Sequence, residues 1–207
     1  AGAPVEQVIR QRIVRRLGDH DPLIAVPGHT KDVGIARYLP GELAEGLLGS
    51  IVDADETGHI YEHSIEVQLP FLQYLYGSEF KFVPICFGMQ DLVSSREVGK
   101  AVASALKGKN GLVIASSDLT HYEPQERAEK KDMLAVDAAL GLDEEHYYRA
   151  VESYGISTCG YGPVMAAIVA SKELGAKKAD LLCYKTSGDV LGDRSAVVGY
   201  TSITFMK

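Results

Sequence analysis

The chain has 207 residues, 46% of them hydrophobic and 24% charged, with a formal net charge of −7 and a pI near 5.4. This is an ordinary globular composition with enough chain for one buried core, and it is slightly short for two domains. The acidity argues against a nucleic-acid partner, which requires a basic stripe. Apolar runs such as 111–115 and 164–170 are too short to span a membrane.

Taken in chain order, Val5 to Leu17 places apolar residues at helical spacing, and Leu23 to Val26 reads as a short strand running into Pro27-Gly28-His29-Thr30. Further helices are expected over 42–51 and 62–76. In the second of these Pro70 predicts a kink or a division into two pieces, because proline removes a donor and clashes with the preceding turn. Lys81 to Cys86 is an expected strand. A helix over 91–107 follows with Asp91 as its N-cap, then a strand over 112–115 that ends in Ser116-Ser117-Asp118. Helices are expected over 124–140, 144–153 and 163–174, the last with Pro163 near its first turn. Strands over 180–185 and 196–205 flank the loop 187–193.

Strands alternating with helices predict an α/β fold, a three-layer arrangement of a parallel or mixed sheet flanked by helices, in one domain over 1–207. In such sheets ligands collect at the carboxyl ends of the strands, which directs attention to the loops at His29, Asp118 and Ser187. No opening signal pattern is seen. The three cysteines, Cys86, Cys159 and Cys183, are odd in number and widely spaced, which favours a reducing cytoplasm over a disulfide framework. Cys86 and Cys183 sit in apolar strand-like runs and read as small buried hydrophobes.

Three segments carry chemistry. In Ser116-Ser117-Asp118-Leu119-Thr120-His121-Tyr122 the spacing lets Asp118 orient the His121 imidazole and leaves the other ring nitrogen free as a base or ligand. The bland alternative is Asp118 as a helix cap and His121 on a surface turn. In Tyr61-Glu62-His63-Ser64 the adjacent Glu62 and His63 point roughly 100° apart on a helix, so a helix-start role competes with a pocket role. In Ser157-Thr158-Cys159-Gly160-Tyr161-Gly162-Pro163 two glycines and a proline bracket Cys159 just ahead of a helix, the setting of a nucleophile or metal ligand, or of a cysteine buried in a tight turn. His29 alone in its Pro-Gly turn is a weak signal. His20, His59 and His146 read as surface residues, while Tyr74, Tyr76, Tyr147 and Tyr148 read as helix-packing residues. Walker, GxGxxG and G-x-S-x-G patterns are absent, which removes the commonest NTPase, dinucleotide and α/β-hydrolase readings.

Read together, Tyr61-Glu62-His63-Ser64-Ile65-Glu66-Val67-Gln68-Leu69-Pro70-Phe71-Leu72, the segment 116–122, Cys159-Gly160-Tyr161-Gly162-Pro163 and Thr186-Ser187-Gly188-Asp189 closely resemble the Memo family, known in prokaryotes as AmmeMemoRadiSam system protein B. The resemblance runs from about Pro40 to the end. It implies a fold similar to the class III extradiol dioxygenases and a pocket with a redox metal, iron or copper. It implies His29 and Cys159 as metal ligands, His121 and Asp118 as the catalytic pair, and Glu62, His63 and Ser117 as pocket support. The family's P-H-A-G-Y motif is absent, and Val26-Pro27-Gly28-His29-Thr30 keeps only the P-x-H-T spacing of its G-P-N-H-T motif. Either one ligand is lost, or a segment is missing from the N-terminal part, whose first 40 or so residues are atypical.

Two functions follow. One is a metal-dependent oxidoreductase related to non-haem dioxygenases, with His121 moving protons. The other is a non-catalytic module that binds a peptide, a small molecule or a protein of the radical-SAM system. A thiolate in place of a carboxylate favours softer metals, so ring cleavage does not follow automatically. A homo-oligomer is compatible with either function.

Overall fold

A computed structural model describes residues 23–25, 51–52, 57–77 and 80–207. The helix expected over 5–17 and all but the last residue of that expected over 42–51, together with His20 and His29, lie outside the described residues. Two three-stranded sheets are present in this part. One is parallel and short, with β1 (Leu23–Ala25) between β2 (Lys81–Phe82) and β3 (Leu112–Val113). The other is antiparallel and places β6 (Val197–Met206) between β4 (His121–Glu123) and β5 (Lys178–Thr186). The mixed α/β class expected from the sequence is therefore present, and among the described residues the expected parallel or mixed sheet is found as two separate sheets. Two strands are shorter than expected: 81–86 pairs only at Lys81–Phe82, and 112–115 only at Leu112–Val113.

Pro70 divides its segment as its chemistry requires. A 3-10 turn over Glu66–Gln68 leads into α1 (Leu69–Tyr76), where Pro70 occupies the first turn and its missing N–H breaks no bond. Residues 62–65 are not helical. α2 (Leu92–Leu106) starts where Asp91 accepts from the N–H groups of Val93 and Ser94, as a capping carboxylate should. α3 (Gln125–Leu140), α4 (Glu144–Tyr154) and α5 (Tyr161–Glu173) fall within one or two residues of the expected spans. The loop 187–193 contains a single helical turn, α6 (Gly188–Leu191).

α5 lies at the centre of the packing. Its Ala166 and Ala170 join Val98, Val102 and Ala103 of α2 in one apolar cluster, and its Met165 and Ile168 join Ala135, Ala138, Tyr147 and Val151 in another. Small side chains let these helices approach closely. A Cβ on Gly99 would lie 2.6 Å from the Ala166 carbonyl oxygen, so only glycine fits the α2–α5 contact. Tyr147 is buried, as helix packing predicts, whereas Tyr74 is 71% exposed. No helix among the described residues is long and apolar enough to cross a membrane.

Candidate functional site

The segment 116–121 leaves the end of β3, and the turn 157–160 precedes α5; the two meet edge to edge. The Asp118 backbone N–H donates to Cys159 Sγ at 3.2 Å, and Ser117 Oγ lies 3.9 Å from the same sulfur. Thr158 Oγ1 donates to the Asp118 carbonyl at 2.7 Å, and Ser117 Oγ accepts from the Gly160 N–H at 2.9 Å. These bonds fix the thiol at the loop surface, where Cys159 is exposed, next to Gly160 at the start of α5. A Cβ on Gly160 would lie 2.6 Å from the Ser116 carbonyl oxygen, so the turn closes this tightly only around glycine. Gln90 secures the other side. Its Nε2 donates to the Cys159 carbonyl at 3.0 Å and its Oε1 accepts from the Gly162 N–H at 2.8 Å.

His121 is oriented by a group other than the expected one. Its Nδ1 lies 2.7 Å from the Ser157 carbonyl, and its backbone N–H donates to Ser157 Oγ at 2.8 Å. A carbonyl only accepts, so Nδ1 carries the proton and Nε2 keeps its lone pair in the neutral ring. Asp118 faces that second nitrogen, with Oδ2 at 3.6 Å from Nε2. That separation is too long for a hydrogen bond. The local spacing assigned the orienting role to Asp118; the structure gives it to Ser157, and Asp118 instead faces the reactive nitrogen. Both side chains reach solvent, His121 at 24% and Asp118 at 46% exposure.

His121 is also not on a turn. It opens β4, opposite Val198 of β6, and the register slips between His121 and Glu123. The residue at the slip, Tyr122, has φ of 58° and a 78% exposed ring set edge-on to the imidazole at 5.8 Å. A left-handed tyrosine is uncommon and strained, and such outliers gather at functional sites.

Glu62 and His63 have local contacts. Glu62 Oε1 accepts from the Ser64 N–H at 2.7 Å, a bond that holds its carboxyl below the usual range. His63 is 73% exposed and its Nδ1 pairs with Glu66 at 2.9 Å. Neither side chain bonds to Ser117, Asp118, His121 or Cys159. Their segment reaches the site through another residue, Gln68, whose Nε2 donates to Ser116 Oγ at 3.0 Å. Glu62 also acts electrostatically on Cys86, whose thiol is pushed up by burial first and by that carboxylate second. Behind the turn lies a small apolar cavity of ≈ 50 Å³ lined by Ser64, Ile85, Val102, Ser116, Pro163 and Ala167, among others.

Gln68, Gln90, Ser157 and Thr158 were not singled out by local spacing. Gln68 and Thr158 do stand in or beside the family strings, which was their available signal. Among the described residues, no three His, Cys, Asp or Glu side chains converge to hold a metal ion. The expected ligand His29 lies outside those residues.

A family model for Memo-like proteins matches residues 39–204. A MEMO1 family protein of Methanosarcina acetivorans is 56% identical over 164 residues, covering 78% of this chain and 61% of that protein. A MEMO1 family protein of Methanocaldococcus jannaschii is 56% identical over 157 residues, covering 73% of this chain and 55% of that protein. One of Methanopyrus kandleri is 52% identical over 159 residues, covering 76% and 56% respectively. The aligned part thus spans about three fifths of the length of these curated relatives. With most of its length matched by the family model and by relatives at this identity, the chain belongs to the Memo-like family.

Proposed function

We propose that Asp118, His121 and Cys159 line one pocket of a metal-dependent oxidoreductase, in which Cys159 ligates a soft redox metal and His121 transfers protons. The observation that carries this reading is the meeting of two distant segments at the Asp118 N–H···Sγ contact of 3.2 Å, beside an imidazole with a free Nε2. A sulfur that reaches solvent and accepts only weak donors suits one coordination position, and a thiolate–imidazole donor set favours iron or copper over hard cations. The described residues alone do not complete a ligand set, so Cys159 would hold the metal together with residues such as His29. When bound, the metal would supply redox or Lewis-acid chemistry.

The chain's own contribution follows from the hydrogen bonds. Ser157 fixes the ring by accepting from Nδ1, so Nε2 is the atom that takes a proton from a bound molecule. The Asp118 carboxylate faces that nitrogen from 3.6 Å. Ser117 and Gln90 hold the cysteine turn so that sulfur and imidazole keep one relative placement.

Anaerobic purification followed by elemental analysis tests the reading. Iron or copper near one per chain, lost in Cys159→Ser and in His29→Ala, is the expected result. A folded wild-type protein with no metal above trace would overturn it. That outcome would leave the binding-module reading, which the exposed Tyr122 ring beside His121 favours, with a small molecule, a peptide or a radical-SAM-system protein as ligand.

A further inference from the structure

We propose that Asp132, a residue outside every motif above, is the positioning residue for His121. This rests on the reading of His121 as the proton-moving group, and it concerns how that imidazole is aimed.

Asp132 lies in α3 and is fully buried. A buried carboxylate without hydrogen-bond donors is costly, and an apolar residue of similar size often serves packing better. No lysine, arginine or histidine among the described residues forms an ion pair with it. Two donors satisfy it instead. The Thr120 backbone N–H donates to Oδ1 at 2.9 Å, and the Tyr184 hydroxyl donates to Oδ2 at 2.8 Å. The first donor belongs to the residue that immediately precedes His121.

The neighbouring strand is shaped around the same carboxylate. Gly199 of β6 bonds to both sides of Thr120: its N–H donates to the Thr120 carbonyl, and its own carbonyl accepts from the Leu119 N–H, each at 2.9 Å. A Cβ on Gly199 would lie 2.0 Å from Asp132 Oδ2, a distance that only a glycine avoids. Asp132 therefore holds Thr120 from beneath, while Ser157 holds the His121 backbone and ring from the other side. Directly after these two clamps the strand slips register between His121 and Glu123, where Tyr122 has its left-handed conformation. A carboxylate serving only general packing would have no reason to bind the backbone N–H of the residue that precedes the site histidine, nor to require glycine opposite.

The test reads the His121 ring directly by NMR at fixed pH on isotope-labelled full chain, with the exposed His146 as internal reference. In folded Asp132→Ala, the His121 ring resonances move and the Nδ1 proton signal is weakened or lost, while His146 stays in place. Asp132→Asn, which keeps an acceptor for Thr120, restores most of the wild-type pattern, and Gly199→Ala reproduces the Asp132→Ala pattern. Unchanged His121 signals in folded Asp132→Ala, or an Asp132→Asn spectrum as displaced as that of Asp132→Ala, would overturn the proposal. Should Asp132→Ala not fold, Tyr184→Phe takes its place. A smaller displacement of the same His121 signals is expected there, and none at all would overturn the proposal. Because the readout is ring placement, it can fail while metal binding holds, and metal binding can fail while it holds.

Discussion

The backbone N–H of Asp118 points at the sulfur of Cys159 from 3.2 Å, joining two segments some forty residues apart. Cys159 is exposed, whereas Cys86 and Cys183 are partly buried and the Cys86 thiol is pushed up by burial and by Glu62. Iodoacetamide at neutral pH should therefore modify Cys159 first, by about tenfold or more in rate over Cys86. Peptide mass spectrometry at short times reads this order; faster labelling of Cys86 would contradict it.

Tyr122 sits at φ 58° with most of its ring in solvent. The left-handed conformation costs a non-glycine residue about 1–2 kcal/mol, and glycine's extra freedom in the unfolded chain offsets about 0.5–1 kcal/mol of the relief. Tyr122→Gly should accordingly raise stability by about 0.5–1 kcal/mol in urea denaturation, while weakening whatever ligand the ring contacts. A clear loss of stability would mean that the edge-on contact with His121 outweighs the strain.

Gly160→Ala should be costly for the opposite reason. Its Cβ would meet the Ser116 carbonyl at 2.6 Å and Ser117 Cβ at 2.8 Å, both on the strand end that carries the site. Overpacking of this kind typically costs about 1–3 kcal/mol. The same variant should alter the alkylation rate of Cys159, because the Gly160 N–H to Ser117 bond cannot keep its length. Unchanged stability and unchanged labelling together would contradict the packing described for this turn.

Glu144 links three elements through Arg96 of α2 and Lys172 of α5. Burial raises its pKa, but hydrogen bonds from Lys172 and Arg96 prevail and hold it below the ordinary value of 4.5. A depressed carboxylate contributes stability above its unfolded pKa and loses it as pH falls through the folded one. Thermal melts of wild type and Glu144→Gln should thus differ most above pH 4.5 and converge below it. A gap that stays constant into acid would rule out an ionic contribution.

Helices were legible because their signals are local. Asp91 caps α2 with its own carboxylate, and Pro70 marks where the 3-10 turn passes into α1. The pairing of Asp118 with Cys159 was legible only through the family strings, since neither segment encodes its partner. β4 was not legible at all. Three residues, His-Tyr-Glu, form a strand because β6 pairs with them and Asp132 anchors the residue before them. The same limit hid Ser157 as the group that orients His121. An imidazole takes whichever acceptor the fold brings near, and here a carbonyl from a turn 36 residues away displaces the carboxylate three residues back. Glu62 and His63 illustrate the converse: a specific string drew them toward the pocket, yet their bonds are to Ser64 and Glu66.

The central proposal is that Cys159 ligates a metal beside His121 and Asp118. X-ray absorption at the metal edge of anaerobically purified protein tests it most directly. The account predicts one sulfur neighbour at about 2.3 Å, the usual length of a zinc–thiolate bond and close to that of neighbouring metals, and its disappearance in Cys159→Ser. A shell of nitrogen and oxygen only, or a sulfur shell that survives that substitution, would contradict it.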